Sequence, residues 1–146
     1  MPLDQWDSAL ASLGLAWAAW GQHMREFVAA VDWTQRWLQL LLAGHAVLFG
    51  LILWSRHQEQ RLAVLFVVLS GLIVCAERLN QWGNAHWQRF AVTNYFDAPG
   101  HFITVVYSLP LLGLLLLTVV CLVIRTGQLL IIAKRRQLRA AVKKSE

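Results

Sequence analysis

The apolar stretch at residues 62–82, LAVLFVVLSGLIVCAERLNQW, most constrains what this chain can fold into. An α-helix needs ~20 mostly apolar residues to cross about 30 Å of hydrocarbon, and this stretch has that length with only Glu77 and Arg78 charged. Two further apolar runs lie at about residues 37–54 and 101–124. The chain is 58% hydrophobic and 14% charged, which excludes an ordinary soluble domain. We therefore predict an all-α integral membrane protein with three transmembrane helices in one membrane domain, residues 32–124.

The N-terminal segment, residues 1–31, is predicted to be an amphipathic helix. Its apolar run at residues 9–20 is too short to span a bilayer, so the helix would lie in the membrane interface or dock on a partner. A fourth span is the remaining alternative. The opening residues, MPLDQWDS, lack a positively charged region, which argues against a cleaved signal peptide. The apolar seam recurs at steps of four and three and consists of Trp6, Leu10, Leu13, Trp17, Trp20, Met24, Phe27 and Val31.

A candidate intramembrane polar site is formed by His45, Glu77, Asn80 and Pro110. A charged side chain at the centre of a spanning helix costs about 2.5–3.5 kcal/mol, so Glu77 is expected to face protein or water. Asn80 shares its helix face, three residues on. Counted at 1.5 Å per residue, His45 in the first span and Pro110 in the third lie at a depth comparable with that of Glu77.

Two interpretations of this site remain open. His45, Glu77 and the carbonyls freed by Pro110 could form a proton or ion pathway. Alternatively, each group is satisfied separately and Pro110 only kinks the third span for packing. We expect the second case, with Glu77 a protonated structural anchor that is hydrogen-bonded to a neighbouring span near His45 or the freed carbonyls.

The C-terminal segment, residues 125–146, is predicted to be a basic helical extension. Seven of the thirteen Lys and Arg residues lie there, which places the tail and the 55–61 hairpin on the cytoplasmic side or its organellar equivalent. Anionic lipid is the first partner expected, and DNA phosphate is the second. No aromatic side chain interleaves the charges, so either partner would be bound by charge alone. The basic residues are Arg125, Lys134, Arg135, Arg136, Arg139, Lys143 and Lys144.

No pattern of catalytic residues is visible in the sequence. It contains no nucleophile and base pair, no phosphate-binding loop and no motif of metal-ligand spacing, so we predict neither an enzyme nor a bound metal or cofactor. Cys75 and Cys121 fall at different depths of apolar runs, which makes a disulfide between them unfavourable.

Four segments together resemble the transmembrane protein 18 family: DWTQRWL at 32–38, GHAVL at 44–48, CAERLNQ at 75–81 and NAHWQRFAVTNYFDAPGHFITVVYSLPLL at 84–112. The most specific part of the resemblance is the order and spacing of Cys-Ala-Glu, Trp-x-x-Phe, Tyr-Phe-Asp, Gly and Ser-x-Pro. The family pattern falls on Trp33, His45, Cys75, Glu77, Asn80, Trp87, Phe90, Tyr95, Phe96, Asp97, Gly100 and Pro110.

The resemblance implies a small multi-span protein of the endoplasmic reticulum and nuclear envelope, without enzymatic activity. It also implies a basic tail that holds the protein at the nuclear membrane and contacts DNA or represses transcription. Two features depart from the family: the tail spaces its charges with Leu138, Ala140, Ala141 and Val142, and the N-terminal helix is rich in Trp. The second departure favours an alternative, an accessory structural subunit of a larger mitochondrial, plastid or other organellar membrane complex.

Overall fold

The structure, a computed structural model, describes residues 3–145, and the side chains of residues 6–142. Every regular element in this range is a helix, so the predicted all-α class is confirmed. In chain order the elements are α1 (Leu3–Ala30), α2 (Arg36–Ser55), α3 (Glu59–Val74), α4 (Ala76–His86), a 3₁₀ turn (Trp87–Arg89), α5 (His101–Ile103), a π-helical turn (Thr104–Ser108) and α6 (Leu109–Ser145).

Two of these helical segments are long and apolar enough to cross a membrane. One is α2, and the other is the joined helix His101–Val142, which contains α5, the π-helical turn and most of α6. α3 and α4 meet the same criterion only as a bent pair, and they supply a third span if the pair crosses as one. α1 does not meet the criterion.

The chain divides into two compact units, residues 1–35 and 36–146. The first unit is α1 with the short segment that follows it. Along the predicted apolar seam, Trp17 and Trp20 pack edge to face with ring centroids 5.9 Å apart. After the helix, the indole nitrogen of Trp33 donates to the carbonyl of Val28 at 2.8 Å, which ties the exit segment to the last turn of α1.

The second unit is a bundle in which α3 packs along α6 and α2 packs against both. α2 and α3 form the expected hairpin, whose turn is closed by a 2.8 Å hydrogen bond from the backbone N–H of Gln58 to the carbonyl of Ser55. Apolar burial holds the three helices together at about 1.5–3 kcal/mol for each large side chain. The fully buried side chains are Leu38, Ile52, Leu62, Leu69, Leu111 and Thr118.

The second predicted span is divided at Cys75, where α3 and α4 are bent by 46°. The prediction of one continuous helix over residues 62–82 is therefore wrong. α3 is apolar, whereas α4 (AERLNQWGNAH) is mostly polar. The bend lets Asn80 donate from Nδ2 to the carbonyl of Asp97 at 2.9 Å, a bond between α4 and the loop before α5.

Residues 101–142 form one helix with an irregular turn just before Pro110. The helix starts after Gly100, whose φ of 72° lies in the left-handed region that favours glycine. In the π-helical turn the N–H of Leu109 donates to the carbonyl of Thr104, five residues back. Proline has no N–H to donate, and a widened turn accommodates the missing bond. The irregularity predicted at Pro110 thus lies in the turn that precedes it.

An aromatic cluster closes the end of the bundle opposite the α2–α3 hairpin. It is centred on Trp37 in the first turns of α2, whose ring centroid lies 5.5–6.3 Å from four neighbouring rings. The cluster fixes the 87–100 segment against the start of α2. Its other members are Phe90, Tyr95, Phe96 and Phe102.

Candidate functional site

The four residues of the predicted intramembrane polar site are divided between two places in the bundle. In the first, His45 lies in α2 with Nδ1 at 2.8 Å from the carbonyl of Leu41 and Nε2 at 3.4 Å from the carbonyl of Tyr107. A neutral imidazole carries one N–H, and the shorter contact takes it, so Nδ1 donates to Leu41. The 3.4 Å contact is longer than an ordinary N–H···O hydrogen bond. His45 is therefore satisfied mainly within its own helix.

Tyr107 is the residue of this region that the sequence analysis missed. Its hydroxyl donates to the carbonyl of Leu72 at 3.0 Å, and its ring lies edge-on to the ring of His45 with centroids 6.2 Å apart. Tyr107 is 8% exposed, so the bond is shielded from water. The signal that could have revealed it is a polar aromatic tip inside an apolar run, three residues before Pro110.

At the second location in the bundle, Glu77 and Asn80 line an open cavity of about 460 Å³. The opposite wall is formed by the start of the 101–142 helix, with Thr104 and Ser108. Glu77 is exposed, and its Oε1 accepts a long 3.4 Å contact from Nε2 of Gln81 on the same helix. Within the described residues it makes no hydrogen bond to His45 or to a carbonyl near Pro110. The prediction that Glu77 is an anchor hydrogen-bonded to a neighbouring span is therefore wrong.

Asn80, rather than Glu77, is the buried polar residue of the cavity. It is 8% exposed, and its Nδ2 makes the bond to the carbonyl of Asp97 described above. Its Oδ1 has no hydrogen-bond partner. Because a buried amide without its bonds costs about 1–3 kcal/mol, the Asp97 contact makes Asn80 a structural tie between α4 and the loop.

The same loop carries a pair of titratable side chains. Nδ1 of His101 donates to Oδ2 of Asp97 at 2.9 Å. Burial alone would raise the pKa of Asp97, but hydrogen bonds from His101 and from backbone N–H groups, including that of Phe102, outweigh it and hold the pKa below its ordinary value of 3.8. The pair stabilises the ionised form of Asp97 at the start of the 101–142 helix.

In the part of the chain that the structure describes, no hydrogen bond joins His45 to Glu77 or Asn80. His45 contacts the carbonyl of Tyr107, whereas Glu77 faces the open cavity beside α4. Within the described residues no group of three His, Cys, Asp or Glu side chains could hold a metal ion. Cys75 and Cys121 are both free thiols.

The predicted basic extension continues the third span as part of α6, which is helical from Leu109 to Ser145. Lys134, Arg135, Arg136 and Arg139 are all exposed. The side chains of Lys143 and Lys144 lie outside the described residues. At the bundle end of the extension, Arg125 lines a cavity together with residues 57–61, so the hairpin and the tail lie at the same end of the bundle.

Comparison with known proteins gives two kinds of match. The family model described as transmembrane protein 18 matches residues 26–143, which leaves most of α1 outside. Transmembrane protein 18 of Danio rerio is 37% identical over 86 residues, 59% of this chain and 57% of that protein. Transmembrane protein 18 of Xenopus laevis is 33% identical over 99 residues, 67% of this chain and 72% of that protein. The chain therefore spans less than two thirds of the Danio rerio relative. No solved structure matches the chain.

Proposed function

Because the chain belongs to the transmembrane protein 18 family, we propose that it is a non-enzymatic membrane protein of the endoplasmic reticulum and nuclear envelope whose C-terminal helix binds a polyanion. The location is what the family resemblance implies. The observation that carries the binding role is the continuity of α6, which runs without a break from Leu109 in the bundle to Ser145.

The distance of the basic side chains from the end of the bundle, measured along α6, favours a partner in the aqueous phase. Arg125 lies beside the α2–α3 hairpin, which marks the end of the bundle. At 1.5 Å per helical residue, Lys134 is ~13 Å and Arg139 ~21 Å beyond Arg125. The Debye length at physiological ionic strength is about 8 Å, so an anion at the level of Arg125 is screened from most of this charge. A straight α6 therefore offers its basic side chains to a second anionic surface.

The chemistry of the extension suits phosphate groups. Six Lys and Arg residues fall within residues 134–144, and no aromatic residue is among them. Such side chains bind phosphate oxygens without reading bases, and no ring is available for base stacking. DNA is the polyanion that a nuclear-envelope location brings within reach. Anionic lipid of the protein's own membrane is the competing partner, and it requires α6 to lean onto the surface.

Binding of duplex DNA by the full-length protein, held in nanodiscs of neutral phosphatidylcholine, tests this proposal. We expect binding that weakens steeply with salt, because each phosphate neutralised contributes about −0.9 to the slope of log K against log salt. Replacement of the five cations by Gln should abolish binding, whereas Lys at the three Arg positions should preserve it. Unchanged binding by the Gln variant, or sequence-selective binding at high salt, would contradict the proposal. The five positions are Arg135, Arg136, Arg139, Lys143 and Lys144.

A second candidate function, accessory subunit of a membrane complex, rests on α1. This helix forms a compact unit of its own, and the first five side chains of its apolar seam are each more than half exposed. Aromatic surface of this kind is typical of helices that dock on a partner or on the membrane interface. The exposed residues of the seam are Trp6, Leu10, Leu13, Trp17 and Trp20.

Substitution of Trp17 and Trp20 by Gln separates these two uses of α1. If α1 holds a partner subunit, the assembly extracted from membranes in mild detergent should lose mass in the variant. If α1 only lies in the interface, the assembly should keep its mass, and the tryptophan emission of wild-type protein should shift to the blue in lipid vesicles. Exposed Leu15 on another face of the helix, replaced by Gln, is the control.

A further inference from the structure

An open polar cavity of about 560 Å³ lies where the α2–α3 hairpin meets α6. It is lined by residues 57–61 and by Arg125. Its two arginines come from distant parts of the sequence, Arg61 from the start of α3 and Arg125 from α6. The folded bundle is therefore required to bring both cations to the same cavity.

Within the described side chains, none of the three arginines at this end of the bundle, Arg56, Arg61 and Arg125, forms an ion pair. One carboxylate, Glu59, lines the same cavity as Arg61 and Arg125. Arg125 donates from Nη1 to Gln128 at 3.1 Å, while its Nε is buried without a hydrogen-bond partner. A guanidinium carries five N–H donors, so Arg125 keeps terminal N–H groups that Gln128 does not use and that can bind a phosphate oxygen.

Two grooves with largely apolar walls share lining residues with the polar cavity. The first, of about 520 Å³, follows α2 and α3 and shares Arg61 with the cavity, and the guanidinium of Arg61 lies 5.3 Å from the ring centroid of Trp54. The second, of about 290 Å³, follows α2 and α6 and shares Arg125. The apolar walls consist of Leu51, Trp54, Val64 and Leu65 in the first groove and Leu53, Cys121 and Ile124 in the second.

We propose that this end of the bundle binds one phospholipid with a net negative headgroup. Arg61 and Arg125 hold the phosphate in the polar cavity, and the acyl chains lie against the apolar walls beside it. A soluble phosphate would occupy only the polar cavity, whereas a phospholipid also covers apolar surface beside it. Basic pockets between spanning helices are a general means of recognising anionic headgroups. This site is separate from the charges beyond Lys134, because its cations are held at the bundle itself.

Native mass spectrometry of the full-length protein tests the proposal, with equal amounts of phosphatidylserine and phosphatidylcholine in the detergent micelles. One phosphatidylserine should remain bound in preference to phosphatidylcholine. Arg61→Gln with Arg125→Gln should reduce its retention roughly tenfold or more, since two charge-assisted hydrogen-bond donors are lost. The matched control, Arg135→Gln with Arg136→Gln, removes the same charge from the extension and should leave retention unchanged.

Equal retention of the two lipids by wild type would overturn the proposal, as would an equal loss of phosphatidylserine from the control variant. Displacement of phosphatidylserine by an equal concentration of glycerophosphoserine, which has the headgroup without acyl chains, would also overturn it. Arg61→Lys with Arg125→Lys covers the case in which the Gln pair does not fold. It keeps the charge but not the bidentate geometry. It should therefore retain less phosphatidylserine than wild type does, but still more phosphatidylserine than phosphatidylcholine. Equal retention of phosphatidylserine and phosphatidylcholine by this variant would also contradict the proposal.

Discussion

The hydroxyl of Tyr107 donates a 3.0 Å hydrogen bond to the backbone carbonyl of Leu72. This bond joins the two irregular points of the bundle, because Tyr107 lies in the π-helical turn before Pro110 and Leu72 lies three residues before the bend at Cys75. Where regular helices end, backbone carbonyls lose their intrahelical partners and must be satisfied by other donors. The two irregularities are therefore parts of one packing arrangement.

Tyr107→Phe should destabilise the bundle by about 1 kcal/mol, because it removes the buried hydroxyl donor to the carbonyl of Leu72. Unfolding by denaturant in detergent micelles measures the change. Thr126→Val is the matched control, since the hydroxyl of Thr126 bonds only to Leu122 of its own helix. Equal stability of Tyr107→Phe and wild type would show that the bond does not hold the bend.

Gly83→Ala should destabilise the protein by about 1–3 kcal/mol through overpacking. A Cβ at Gly83 would lie 2.6 Å from ring carbons of Phe96, and the surrounding aromatic cluster leaves that ring little freedom to move. Gly71→Ala, where a Cβ meets nothing within 4 Å, is the control and should be neutral or slightly stabilising. If Gly83→Ala behaves like Gly71→Ala in thermal unfolding, the close packing of α4 on Phe96 is wrong.

The Asp97 and His101 pair predicts an acid dependence of stability. Because the pKa of Asp97 is lowered in the folded state, its contribution is present above the ordinary value of 3.8 and is lost as pH falls through the lowered pKa. The stability advantage of wild type over Asp97→Asn should therefore shrink as the pH falls below 3.8. Unfolding curves of both proteins over this range measure it. An advantage that grows as the pH falls below 3.8 would have the wrong sign for this account.

Glu77→Gln should be tolerated, whereas Asn80→Leu should cost about 1–3 kcal/mol because it removes the buried donor to the carbonyl of Asp97. Glu77 is exposed in an open cavity and bonds only weakly to Gln81 within α4. Reconstituted vesicles with an internal pH dye test the alternative role of Glu77. We expect no proton flux from wild-type protein; a flux that Glu77→Gln removes while the protein stays folded would assign Glu77 to a conduction pathway.

Apolar run length predicted the class of the fold and the first span well. The predicted run at about residues 37–54 and the observed α2, Arg36–Ser55, agree closely, because length and hydropathy decide whether a segment crosses a bilayer. The bend at Cys75 was not predictable in this way. It depends on partners that are distant in sequence, 35 residues away for Tyr107 and Leu72 and 17 for Asn80 and Asp97.

Within the described residues, the bond expected from Glu77 to a neighbouring span near His45 or Pro110 is absent for a different reason. Helical rise fixes the depth of a residue along a span but not the direction in which its helix faces after packing. Two residues at the same depth can therefore face different neighbours, as His45 and Glu77 do. For the tail, the sequence determines the charges directly, but the helical continuity across Gly127 is a property of the folded chain.

The height of α6 above the membrane tests whether the helix carries its basic side chains away from the bilayer surface. In a variant with Cys75 and Cys121 replaced by Ser, a fluorophore at Leu138→Cys would be measured against acceptors on lipid headgroups in nanodiscs containing phosphatidylserine. Gln128→Cys gives the reference position near the surface. We predict that position 138 lies ~15 Å farther from the headgroups than position 128, from ten helical residues at 1.5 Å each. Equal distances at the two positions would show that the extension lies on its own membrane, and would contradict the account.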